Sequence, residues 1–365
     1  MAYSTGTGAN QQDLLDAVRT FAIGLGWTVV LWDTTNKLLY MEKGACHLAL
    51  EWYNVSVNTY VGTTLTSVSE GRIRGTLCKT LTTAIDYSAF VGNIAVSGQT
   101  ANAPLVVGGN LHGPYTGWFL FSNATGDYIH IVVQTSADMY TQIGFGVADK
   151  GGMTHAGAAY LFMDGGRYWF RPLSTTTAPT SSSIEHNKPG KTASLFGDKI
   201  NRIGNSACYC IYVEDALPAG FTNQLCMSSY WTSVSYSRTA QKAHILKTLN
   251  TNYYNTASLY PESTGLGGSL LDGVITMSGA GYAPYVPMLG IPLIVTNAGY
   301  TLACAVGSIP DMRMINLTAL AAGQELALSA DTWKVFPQMR QDNWSAYNGE
   351  VATSGQFGIA FKKIP

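Results

Sequence analysis

Apolar residues near the start of the chain recur with helical spacing. Leu14, Leu15, Val18, Phe21, Ala22 and Leu25 fall 3.6 residues apart, and Gly24 and Gly26 supply a stop. This predicts one amphipathic helix of about three to four turns. Two further stretches, TAQKAHILKTLN at 239–250 and NLTALAAGQELAL at 316–328, also read as helix. Nearly everything else alternates with period two. In YIHIVVQT, Ile129, Ile131 and Val133 share one face, and Tyr128, His130, Val132 and Gln134 share the other. Near the C-terminus Phe357, Ile359 and Phe361 fall on one side, and residues 293–306 read as a hairpin around Asn297-Ala298-Gly299. Turn signals return about every eight to twelve residues, as in sandwiches and barrels. The expected fold is mainly β: a β-sandwich or jelly-roll-like body with a short N-terminal α-helix.

Residues 172–192, PLSTTTAPTSSSIEHNKPGKT, contain almost no apolar side chain and cannot form a core-facing element. They divide the chain into 1–172, an N-terminal helix plus β domain; 173–192, a linker or an extended arm that reaches a neighbouring subunit; and 193–365, a second β region. A single continuous domain is the other reading. At 365 residues the chain is long enough to bury a sizeable core without disulfides or metals.

Charge narrows the function. Only 12% of residues are charged, the net charge is −1, and the 21 Lys and Arg are scattered, so a nucleic-acid partner is not expected. Abundant Tyr with few charges suits large subunit contacts. The start, MAYSTGTGANQQ, has neither a basic nor an apolar leader region, so no signal peptide is expected. The longest apolar run, 285–295, is interrupted by Pro287 and Pro292 and is too short for a bilayer, so no membrane partner is expected. Cysteines 46, 78, 208, 210, 226 and 304 lack zinc-type spacing and read as core thiols; Cys208 and Cys210 share one strand face, which disfavours a bond between them and leaves each free to bridge elsewhere.

The stretch GFGVADKGG at 144–152 raises the question of a phosphate cradle. Lys150 is followed by Gly151, Gly152 and Met153 rather than Ser or Thr and a helix, so it is not a Walker A loop. Counting from Gly144 and Gly146, the third glycine of a dinucleotide fingerprint falls on Asp149, a carboxylate where a pyrophosphate would sit. Read as a strand, the stretch places Ile143, Phe145 and Val147 on one face. Gly144, Gly146 and Ala148 then leave the other nearly bare for a backbone or ring to approach, before a turn over DKGG. The six histidines (47, 112, 130, 155, 186, 244) are isolated, and no hydrolase elbow, zinc-protease or EF-hand motif occurs. No catalytic residue, cofactor or metal site is expected. N-x-S/T triplets at Asn54, Asn123, Asn316 and Asn343 are expected by chance in so polar a chain. Clusters around Trp231, Tyr253, Tyr254 and Trp344 suit either subunit interfaces or glycan stacking; with Gly144 and Gly146 they are the candidate interface and packing residues.

Three pieces together resemble virion proteins of tailed bacteriophages. One is MAYSTGTGANQQDLLDAVRTFAIGLGWTVV, where a Ser/Thr/Gly leader precedes a short helix that ends in GW and enters a strand. Another is DYIHIVVQTSADMYTQIGFGVADKGGMTHAGAAYLF, similar to a hairpin such proteins carry, with Gly157-Ala158 where relatives show a Gly pair. The last is TWKVFPQMR with SGQFGIAFKKIP, similar to their closing hairpin. The resemblance implies a non-enzymatic structural component of the tail or baseplate, made in the host bacterial cytoplasm and working in the virion as a symmetric multimer. Its partners would be copies of itself and other virion proteins. A collar or head-surface decoration protein, or a module that binds a host-surface glycan or receptor, is the alternative, and a hydrolase of envelope polymers a third reading.

Overall fold

The computed structural model describes residues 2–61, 64–85, 106–108, 111, 113–136, 139–151, 158–163, 209–213, 219, 225–227, 242–245, 289–296, 303–317, 320–337 and 357–365. In chain order the elements are β1 (Tyr3–Gly8), α1 (Gln11–Gly24), β2 (Thr28–Asp33), β3 (Leu38–Lys43), β4 (Cys46–Val61), β5 (Thr64–Cys78), β6 (Val106–Gly108), β7 (Tyr115–Phe121), β8 (Tyr128–Ser136), β9 (Met139–Val147), β10 (Ala158–Met163), β11 (Tyr209–Val213), β12 (Leu225–Met227), β13 (Lys242–Ile245), β14 (Leu289–Thr296), β15 (Ala303–Asn316), β16 (Glu325–Leu328), β17 (Asp331–Pro337) and β18 (Phe357–Lys363). Among the described residues the protein is mainly β with one short helix.

The helix forms where the spacing predicts it. Asn10, in extended backbone, accepts from the Asp13 amide at 3.1 Å, and the Asp13 carboxylate accepts from the Ala9 amide at 2.8 Å. This reciprocal cap satisfies two otherwise unpaired donors. Leu14, Leu15, Val18 and Ala22 are buried, and Gly26 leaves the helix at φ 81°. The chain is then pinned: the Lys43 ammonium donates to the Leu25 carbonyl at 2.5 Å and to the Thr125 carbonyl, and the Trp27 indole donates to the Gly126 carbonyl at 2.7 Å.

Two sheets follow. Among the described residues the smaller is a five-stranded meander, β2-β3-β4-β5-β6, and the larger has thirteen strands in the order β1-β7-β8-β9-β10-β11-β12-β13-β14-β15-β18-β17-β16. The large sheet folds over on itself. Phe121 of β7 stacks on Phe361 of β18 with ring centres 5.1 Å apart, and Phe119 meets Phe336 of β17 at 4.9 Å. Its two ends come together at the Tyr3 ring, which lies 4.9 Å from the Lys363 ammonium; Lys363 in turn donates to Glu325 at 2.8 Å. The large sheet draws strands from both sides of residues 173–192, with β10 paired to β11 over five residues. Residues 173–192 themselves lie outside the described residues.

The strands β8, β9 and β10 therefore form an inner layer covered on both faces. One face, with Ile129, Ile131, Val133, Ile143, Phe145 and Leu161, packs against α1 and the small sheet to form a first core. The other, with Tyr128, Val132, Tyr160 and Phe162, meets Met312, Phe336, Ile359 and Phe361 of the returning strands to form a second. Double coverage explains why β10, AAYLFM, is buried at every position.

Two predicted helices give way to strands. Within 239–250, Lys242–Ile245 form β13 and pair antiparallel with β14; the rest of that stretch lies outside the described residues. In 316–328 the chain leaves β15, turns at Gly323 with φ 76°, and runs into β16. The Gly323 amide donates to Val335 and the Val335 amide to Gln324. Leu317, Leu320 and Leu326, whose spacing suggests a helix, instead pack around Trp333 and Val335. Cross-strand pairing decides both segments, because helical propensity over so few residues is worth only tenths of a kcal/mol at each. The expected hairpin at 293–306 is the antiparallel pair of β14 and β15, and its turn lies outside the described residues.

Candidate functional site

The glycine-rich strand β9 lies between β8 and β10. Register places Tyr128 opposite Gly146 and Tyr160 on its other side, then His130, Gly144 and Phe162 in the next row. What approaches the bare face belongs to the same chain. A Cβ at Gly144 would sit 2.3 Å from the Phe162 ring and 2.9 Å from His130, and one at Gly146 would sit 2.4 Å from Tyr128 Cα. Gly146 also holds φ at 149°, which side chains rarely adopt. The missing side chains make room for a row of rings.

Those rings carry polar atoms into the second core. His130 stacks on Tyr128, centres 4.5 Å apart, and its Nε2 is hydrogen-bonded to the Tyr160 hydroxyl at 2.6 Å. The Tyr128 hydroxyl donates to Asp311 Oδ2 at 2.7 Å, joining β8 to β15 across 183 residues of sequence. Asp311 sits at φ 49°, in the left-handed region tolerated by Asp better than by most residues. Burial lowers the His130 pKa to about 3 and raises the Tyr160 hydroxyl well above its ordinary value; Tyr128 is raised too, first by burial and then by Asp311. The imidazole is thus neutral and sealed from solvent. The imidazole ties β8 to β10 within the inner layer, and the neighbouring Tyr128–Asp311 bond ties that layer to β15.

The turn after β9 is also committed to the fold. Asp149 exchanges two backbone hydrogen bonds with Ser308, both 2.9 Å, and its carboxylate accepts from the Gly151 amide at 3.1 Å. Gly151 adopts φ 52°, as a tight turn requires. The Asp149 amide that a phosphate would need is therefore already bonded. Residues 152–157 lie outside the described residues.

One row of residues has the composition of a catalytic triad. Glu42, His47 and Cys78 are direct cross-strand neighbours on β3, β4 and β5, and His47 Nδ1 lies 2.9 Å from Glu42 Oε2. The thiol, however, donates to the His47 backbone carbonyl at 3.8 Å, and burial, with Glu42 adding to it, pushes its pKa up to about 12. An activated nucleophile needs the opposite shift. Cys46, Cys210 and Cys304 are likewise free and buried, with burial raising each thiol pKa, that of Cys210 to about 12. Among the described residues no group of three His, Cys, Asp or Glu is placed to hold a metal ion, and no helix is long and apolar enough to cross a membrane.

Of the sequence-derived candidates, Gly144 and Gly146 come together in one row system, whereas Trp231, Tyr253, Tyr254 and Trp344 lie outside the described residues. Two of the N-x-S/T asparagines have their amides engaged: Asn54 accepts from Gln11 at 3.2 Å, and Asn123 both accepts from and donates to Asp127 at 2.8 Å. The Tyr128, His130, Tyr160 and Asp311 group was not among the candidates. Its signal is a Tyr and a His inside YIHIVV, a strand apolar enough to be buried on both faces. No protein-family model matches the sequence, and no curated protein is significantly similar to it.

Proposed function

We propose that the chain is a non-enzymatic structural component of a tailed-phage virion, of tail or baseplate type, acting through repeated contacts with copies of itself and with other virion proteins. One observation carries this reading. The three segments that resemble such proteins fold as a strand, helix and GW turn, a Gly-bearing hairpin, and a closing hairpin, and all three pack on one another. Trp27 after α1 meets Phe145 edge-on at 5.5 Å, and His130 on the other face of the same layer lies 5.7 Å from Phe361 of β18. The low charge and the commitment of the buried His and thiol groups to packing also support a scaffold role.

The test is size-exclusion chromatography with light scattering on the full chain, alongside mass spectrometry of purified particles. A defined homo-oligomer that is present in virions is expected. A strictly monomeric protein that is missing from particles would overturn the reading. Loss of adsorption on Trp344→Ala without loss of assembly would favour the glycan- or receptor-binding alternative instead.

A further inference from the structure

We propose that the second core contains an internal water site shared by His130 and Gln142. Both residues are fully buried. Tyr160 occupies His130 Nε2, and His130 Nδ1 has no partner; neither does either end of the Gln142 carboxamide. The three unpaired atoms fall on one face. His130 pairs with Gly144 and Val132 with Gln142, so His130 and Gln142 occupy diagonal positions on adjacent strands, both turned from the first core toward the returning strands.

Diagonal neighbours in an antiparallel pair are about 7–8 Å apart at the backbone, a gap that side chains and one bridging molecule can close. Each buried polar group left unpaired costs about 1–3 kcal/mol, so three together would consume a large part of a domain's stability. A water makes about three hydrogen bonds in such a place. The carboxamide offers both a donor and an acceptor, so a water between it and Nδ1 is satisfied whichever imidazole nitrogen carries the proton. Of the buried side-chain atoms on β8 and β9 that lack a partner, none belongs to the first core, whose share of these strands is mainly Ile129, Ile131, Val133, Ile143 and Phe145.

A high-resolution crystal structure of the unaltered full chain should show one ordered water within hydrogen-bond distance of His130 Nδ1 and of the Gln142 carboxamide. Urea unfolding of Gln142→Leu and His130→Phe gives the energetic counterpart. Each single change should raise the unfolding constant about tenfold, and the double change well short of a hundredfold, because either substitution alone removes the bridge. A dry seam in the crystal structure would overturn the proposal, and so would a Gln142→Leu variant as stable as the parent.

Discussion

The two faces of the inner layer are built from the same three strands, yet they solve different problems. The face toward α1 is closed mainly by aliphatic and aromatic side chains with a few Met and Cys; the Tyr115 hydroxyl donates to the Leu111 carbonyl, and the indole of Trp27 donates to Gly126 at the rim. The face toward β15, β17 and β18 mixes rings with hydroxyls, an imidazole and an amide. An apolar face is held by area and shape and tolerates small slides, whereas hydrogen bonds such as Tyr128 to Asp311 fix one register. A sheet that folds back on itself can meet its own other half in several registers, and there a register key has value. The half that meets a helix has less need of one.

Phe145→Ala should break the apolar side most severely. It opens a cavity beside Trp27 and should cost about 3–5 kcal/mol in chemical denaturation; a loss under about 1 kcal/mol would mean that this core is not the principal source of stability. Gly146→Ala probes the opposite face of the same strand by overfilling it. The new methyl would meet the Tyr128 backbone in a left-handed conformation, and about 2–4 kcal/mol should be lost. Equal tolerance of alanine at Gly146 and at the open, exposed Gly151 would contradict the packing described.

Acid distinguishes the faces more gently. Because the folded pKa of His130 is lowered to about 3 from the ordinary 6.5, the unfolded chain takes up a proton that the folded chain refuses. Stability is therefore full above about pH 6.5 and falls as pH drops toward 3, with a slope of at most about 1.4 kcal/mol per unit. Tyr128, Tyr160 and Asp311 face or adjoin the imidazole from β8, β10 and β15, and none of them offers Nδ1 a partner. Glu51 acts in the opposite sense, since burial raises its pKa against the lowering effect of Arg74. The measurement is accordingly a comparison: urea midpoints from pH 7 to 4 should decline less steeply in His130→Phe than in the parent, and parallel declines would remove His130 as the cause.

Much of the element pattern was legible in the sequence. The helix, β8, β9, β18 and the pair β14 and β15 all follow from periodicity, and the bareness of Gly144 and Gly146 follows from alternation. The second face was not, because its members meet through register. Nothing local links Tyr128 to Asp311, or His130 to Tyr160, until β8, β9 and β10 are aligned and β15 returns over them. Pairing with the distant β14 turned 242–245 into a strand, and the adjacent hairpin with β17 did the same for 325–328, both against their helical spacing.

That separation also sets the order of events when the chain folds. The bond between Tyr128 and Asp311 closes a loop of 183 residues, and β18, which covers His130, lies far downstream of β8 in the sequence. Local hairpins such as β4 with β5 and β8 with β9 can form early, but the inner layer must wait with one face uncovered until the C-terminal strands arrive. Chains dominated by such distant contacts fold slowly and expose strand surface meanwhile. A nascent or truncated chain ending before β15 therefore presents the row of rings over Gly144 and Gly146 to solvent, and aggregation should begin at that surface.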